Sequence, residues 1–121
     1  MNHSIDHVNP EFDSDLRTIL EKLSPDAIPK GTYIQTRGPR LESKAEISWM
    51  KNNADIVGMT IGSELTVAAE MGLPFAAICT VDNYANGICD AEITYDSIIS
   101  MVRENQDKAL DLLGRIIRSV S

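Results

Sequence analysis

The residues of this chain equipped for chemistry are a carboxylate, a hydroxyl and an amide, each placed where an apolar stretch ends. Glu42 follows the turn Gly38-Pro39-Arg40-Leu41, Thr60 follows the stretch 55–59, and Asn83 follows the stretch 75–82. A carboxylate accepts hydrogen bonds, an amide donates and accepts, and a hydroxyl does either, so together they can read a small polar ligand. Open α/β sheets gather ligands at the C-terminal ends of their strands, which is where all three fall. On residue type alone they read equally well as a solvated loop glutamate, a helix-capping threonine and a turn asparagine. Nucleophilic and metal chemistry are poorly served. Cys79 lies in an apolar run and reads as a reduced core residue, while Cys89 lies in a loop. No CxxC or Cys/His spacing is present, so no metal is expected. His3 and His7 sit near the N-terminus, where chains are loosely held, and are expected in solvent.

The elements that must position these residues follow from periodicity and punctuation. An irregular lead-in over residues 1–12 precedes a helix capped by Asp13 or Ser14, with Leu16, Ile19, Leu20 and Leu23 on one face and Ser24-Pro25 as its stop. A short strand is predicted over 31–36, then a loop over 37–40. A helix over 43–53 starts at Ser43, and Glu46 three residues on completes a capping box. Residues 55–59 read as a buried strand, and Gly62-Ser63 opens a helix that Gly72 closes. Residues 75–82, apolar almost throughout, read as a third strand buried on both faces. A loop with Asn86-Gly87 as turn residues leads to a helix over about 94–119, striped by Ile98, Val102, Ala109, Leu113, Ile116 and Val120. The alternation predicts an α/β fold, a small mixed or partly parallel sheet flanked by helices with a long C-terminal helix. Three strands leave both sheet edges open.

The chain has 121 residues, which suits one domain over 1–121 with one core. Its net charge of -7 argues against a nucleic acid or an anionic membrane as partner, but leaves room for a phosphate site built from backbone N–H groups and hydroxyls. No apolar run is long enough to span a bilayer, and the first residues lack the basic and apolar regions of a signal peptide. A cytoplasmic location is the default expectation.

The stretch GTYIQTRGPRLESKAE, followed by ADIVGMTIGSELTVAAEMGLPFAAICTVDNYANGI, resembles the trimeric-type purine nucleoside phosphorylases and methylthioadenosine phosphorylases. The segments GPR-x-E-(S/T)-x-AE, VGM-(S/T)-x-x-x-E, AxE-x-G-(L/I) and a strand ending in (T/D)-N-Y-A stand in family order and spacing. The likeness runs over residues 8–121 and is strongest from Gly31 to Ile88. It implies a truncated nucleoside phosphorylase-like fold, of which this chain is the C-terminal half. The family's glycine-rich phosphate loop and several strands lie in an N-terminal half, and Met1 falls near the family's midpoint.

The resemblance implies phosphorolysis of a purine nucleoside, with inorganic phosphate as co-substrate and no other cofactor. Glu42 matches the glutamate that accepts from purine N1–H, and Asn83 the catalytic asparagine that contacts N7 and the 6-substituent. That pair implies a 6-oxopurine, because adenine carries no proton on N1. Met59 matches the residue packed on the ribose, or serves simply as core. Thr60 matches the phosphate-binding hydroxyl. Leu41 stands where a base-stacking phenylalanine is usual, and Tyr95 where a histidine near the ribose 5′-hydroxyl is usual. Arg40 is expected to pair with an acidic neighbour, and Glu46 and Glu64 to be structural. Activity is expected to need a separately supplied N-terminal half, the chain alone being inactive. A purine-binding module or a structural remnant that self-associates is the alternative. Exposed strand edges predict association with itself or with that half.

Overall fold

Parallel pairing of two short strands organises the chain, because it sets two loop-to-helix connections side by side. The structure, a computed structural model, describes residues 7–121; the sequence-based readings of residues 1–6, His3 included, lie outside the described residues. The elements run α1 (Ser14–Leu23), β1 (Tyr33–Gln35), α2 (Lys44–Met50), β2 (Ile56–Gly58), α3 (Ile61–Glu70) and α4 (Tyr95–Val120). β1 and β2 pair in parallel with Tyr33 opposite Ile56, Ile34 opposite Val57 and Gln35 opposite Gly58. A parallel pair needs a crossover, which α2 provides. The fold is α/β, with the long C-terminal helix that the apolar stripe predicts.

Local chemistry accounts for most boundaries. Asp13 caps α1 by accepting from the Leu16 N–H at 2.8 Å. Leu16, Ile19, Leu20 and Leu23 are the half-buried face of α1, and this helix packs on α4. Ser43 and Glu46 form the expected capping box at α2. Gly72 follows the α3 C-cap at φ +65°, a conformation that costs glycine no side-chain clash. Thr94 and Ser97 cap α4 reciprocally. The core is small: Ile47 of α2 and Leu65 and Ala68 of α3 are its buried apolar residues among those described.

The third strand is corrected. Residues 75–82 form no strand, and among the described residues their only backbone–backbone hydrogen bond is the one Phe75 O accepts from Asp13 N, at 2.7 Å. An apolar run signals that a segment needs covering on both faces; it does not supply the neighbouring strand that a ladder requires. Ile78 and Val81 are exposed, and so is Cys79, which is therefore not the core thiol that its apolar neighbours suggest. The described sheet is thus two-stranded and wholly parallel. On α4 no residue is buried, and Leu113 and Val120 of its predicted stripe stand half-exposed. The accessible surface is 9662 Å², against roughly 6,500 Å² for a compact monomer of this mass.

Gly58 is the tightest point of the pairing. A Cβ there falls on the Tyr33 hydroxyl and 2.9 Å from the ring carbon that carries it. Gly58→Ala is therefore expected to destabilise the chain by about 1–3 kcal/mol through overpacking. Because the hydroxyl makes the closest contact, Gly58→Ala in a Tyr33→Phe background should cost less. Urea midpoints of the four proteins measure both quantities.

Candidate functional site

The carboxyl ends of β1 and β2 carry the loops of interest, and their register fixes which residues meet. Beyond the last rung, the Thr36 N–H donates to the Gly58 carbonyl at 2.9 Å, so the ladder runs one step into both loops. Successive strand residues point to opposite sides. Gln35 reaches α3, where its carbonyl oxygen accepts from the Ser63 N–H at 2.8 Å and its amide donates to the Ser63 hydroxyl at 2.5 Å. Thr36 reaches the other way and donates its hydroxyl to Oε1 of Glu42.

Glu42 is the one buried charged residue among those described, only 8% exposed. An ionised group tolerates such a place only when hydrogen-bonded or paired. Thr36 satisfies Oε1. Oε2 has no hydrogen-bond partner among the described residues, yet it is not one of the fully enclosed orphan atoms, so it keeps an opening to solvent. The backbone of Glu42 is held as well: Nδ2 of Asn86 donates to its carbonyl at 3.2 Å. The result is a fixed carboxylate with one bound and one free oxygen.

The loop around it is braced by Arg40 and Glu46. The guanidinium donates through Nη1 to Oε2 at 2.9 Å and through Nη2 to Oε1 at 2.8 Å, and the Ser43 N–H donates to Oε2 at 2.6 Å. The hydrogen bond from Arg40, with that from the Ser43 backbone, holds the Glu46 carboxyl well down, at about 2. The Arg40 guanidinium is pushed up, chiefly by Glu46, with a smaller contribution from the charge of Glu42. Both residues thus play the structural parts expected of them, and the brace fixes the turn from which Glu42 hangs. The Glu64 side chain makes no hydrogen bond or ion pair among the described residues, while its N–H donates to the Thr60 carbonyl at 3.1 Å.

Other predicted residues fall as follows. Met59 is half-buried and packs towards the opposite loop, since a Cβ on Gly38 would lie 2.5 Å from its Sδ. Thr60 is exposed at the N-cap of α3, and its hydroxyl makes no hydrogen bond among the described residues, while its N–H donates to the Tyr33 hydroxyl at 3.4 Å. Asn83 is exposed, and its Nδ2 donates to the Tyr84 carbonyl at 2.8 Å, leaving the second amide proton and the oxygen free. Leu41 is 49% exposed and projects from the turn. Tyr95 opens α4 at 77% exposure, in a shallow depression lined by Asp96, Ile99, Ser100 and Arg103 of the same helix.

Glu42, Met59 and Thr60 are thus brought to neighbouring loops. Asn83 is linked to Glu42 only through Asn86, three residues on, and no described hydrogen bond links Tyr95 to any of them. A second depression, an apolar groove, lies between 80–82 and α4, with Asn105 donating to Asp82 at 3.3 Å. Neither depression is lined by Glu42, Met59, Thr60 or Asn83. The loops form one wall, and a ligand pocket needs an opposing one. Sequence reasoning missed Thr36, Gln35 and the second task of Asn86. The alternation of β1 carried a signal for the first two, since adjacent polar residues at a strand end must face opposite sides.

This arrangement belongs to a known group of proteins. The sequence matches the phosphorylase superfamily over residues 2–118, and the chain belongs to that family. It is similar to a probable 6-oxopurine nucleoside phosphorylase of Archaeoglobus fulgidus, 47% identical over 98% of this chain and 51% of the relative. A probable S-methyl-5'-thioinosine phosphorylase of Methanocaldococcus jannaschii is 36% identical over 89% of the chain and 42% of the relative. The 6-oxopurine nucleoside phosphorylase of Pyrococcus furiosus is 31% identical over 86% and 40%. The chain spans about half the length of the curated relatives it matches.

The Arg40–Glu46 brace has a pH signature. A carboxyl whose folded value is depressed contributes stability that is complete above its ordinary value near 4.5 and is lost as pH falls through about 2. Carbon-detected NMR titration should place the Glu46 midpoint near 2, and Arg40→Gln should move it up towards 4.5 without reaching it, because Ser43 still donates. An unmoved midpoint in Arg40→Gln contradicts the brace.

Proposed function

We propose that this chain carries the purine-reading part of a 6-oxopurine nucleoside phosphorylase. The observation that carries the reading is the half-satisfied carboxylate of Glu42: buried, fixed through Thr36 and Asn86, with Oε2 open. Such an oxygen suits the N1–H of hypoxanthine or guanine and repels the lone pair on N1 of adenine. The names of the relatives point the same way, since 6-oxopurine nucleosides and thioinosine share a base with an oxo group at C6.

In this reading, inorganic phosphate attacks C1′ of the ribose, and the bond between C1′ and N9 breaks with its electron pair leaving on the purine. The products are ribose 1-phosphate and the free base, which takes up a proton. Catalysis consists of stabilising the charge that grows on the departing base. Asn83 does this by donating from its free amide proton to N7 or O6, while Glu42 holds N1–H. Met59 packs on the ribose, Thr60 offers its unengaged hydroxyl to phosphate, Leu41 borders the base and Tyr95 lies towards the 5′ end. Phosphate is the co-substrate, with no metal or organic cofactor.

One hydroxyl does not balance a phosphate dianion, and one wall does not enclose a nucleoside. The remaining phosphate ligands and the second wall are assigned to a complementary N-terminal half, or to further copies in a homo-oligomer. The large surface of the chain and the unpaired 75–82 segment support such a partner. The purified 121-residue chain should show no phosphorolysis of inosine, and should not sediment as a monomer. It should bind hypoxanthine, with Glu42→Ala weakening binding by about tenfold or more, the worth of a hydrogen bond to a charged group, and Asn83→Ala by about threefold to tenfold, that of a neutral one. Turnover of inosine unaided would refute the need for a partner. Negligible binding by the chain and both variants would instead leave a structural remnant.

A further inference from the structure

Thr36 directly follows β1, and neither the motifs nor the relatives' names assign it a task. We propose that Thr36 is the positioning residue for Glu42 and, through it, a determinant of selectivity for 6-oxopurines; this rests on the assignment of Glu42 to purine N1–H. The backbone of Thr36 is fixed by its hydrogen bond to the Gly58 carbonyl, so its hydroxyl is a donor anchored to the sheet rather than to a loop. That hydroxyl occupies Oε1 of Glu42. Asn86 fixes the carbonyl of the same residue, at 3.2 Å. With the backbone held, side-chain rotation is the freedom that remains to Glu42, and Thr36 removes it. Oε2 is then aimed, because the donor at Oε1 fixes the orientation of the carboxylate.

This bears on selectivity. An aimed carboxylate accepts the N1–H of a 6-oxopurine and opposes the N1 lone pair of a 6-aminopurine. A glutamate free to rotate discriminates less, because it no longer presents Oε2 to one edge of the base. Replacing Thr36 by the isosteric valine leaves Oε1 buried without its donor, which costs more than the hydrogen bond alone returns. Valine also keeps the β-branched shape that the strand favours, so the pairing of β1 and β2 is expected to survive.

The test compares the wild-type chain with Thr36→Ser, Thr36→Val, Thr36→Ala, Glu42→Ala and Thr36→Val/Glu42→Ala. The first readout, on the ligand-free chain, is NMR relaxation of the Glu42 side-chain carbons. Glu42 should be ordered in wild type and Thr36→Ser, and mobile in Thr36→Val and Thr36→Ala. The second readout is titration with hypoxanthine and with adenine. Thr36→Ser should retain hypoxanthine affinity, whereas Thr36→Val and Thr36→Ala should lose about tenfold or more and narrow the gap to adenine. In the Glu42→Ala background, Thr36→Val should add no further loss, because the two act as one unit. Equal ordering of Glu42 in all variants, unchanged affinity in Thr36→Val, or additive losses in the double variant would each overturn the proposal. A chain that orders Glu42 through Thr36 yet binds no hypoxanthine overturns the selectivity role together with the purine reading, and leaves the positioning contact standing.

Discussion

The register of a three-residue parallel ladder decides where everything else in this chain sits. Gln35 opposite Gly58, extended by the Thr36 N–H on the Gly58 carbonyl, brings the end of β1 against the end of β2. From that single junction Gln35 turns to Ser63 at the start of α3, and Thr36 turns to Glu42. The two side chains face opposite ways because a strand has a period of two. A slip of one residue would exchange their directions and leave Glu42 buried without a donor. The close approach of Tyr33 to Gly58 leaves no room for a side chain at that rung. A short ladder thus couples the buried carboxylate of Glu42 with Thr60 at the N-cap of α3.

Much of this was legible in the sequence because it is local. Caps at Asp13 and Ser43, the closing glycine at Gly72 and the apolar face of α1 all depend on residues within a turn or two of each other. The Arg40–Glu46 pair spans six residues and follows from charge alone. What was not legible depends on partners distant in sequence. The apolar run 75–82 signals a strand, but its N–H and C=O groups find no ladder in the described structure, and the segment stays irregular and part-exposed. Asn86 reads as a turn residue, and nothing near it in sequence shows that its amide crosses to the Glu42 carbonyl, 44 positions away. Glu42 itself reads as a loop glutamate until its burial and its Thr36 partner are known.

Membership of the phosphorylase superfamily and the openness of the structure fit together physically. The chain spans about half the length of the relatives it matches, and apolar residues of 75–82 and of α4 stand exposed. Polar groups behave differently. Oε1 and the carbonyl of Glu42 and the N-caps of α1, α2 and α4 are satisfied by bonds within the chain, so these loops hold their geometry although a second wall is absent from the described residues. Hydrogen-bond direction is thus set locally, while enclosure is not.

The central claim is that a buried carboxylate with one free oxygen selects the protonated N1 of a 6-oxopurine. Side-by-side calorimetric titration of the chain with hypoxanthine and with adenine tests it most directly. Binding of hypoxanthine at least about tenfold tighter than adenine is expected, since a site built to pair with an N–H rejects a base that lacks it. Equal affinity for the two bases would contradict a site organised around Glu42.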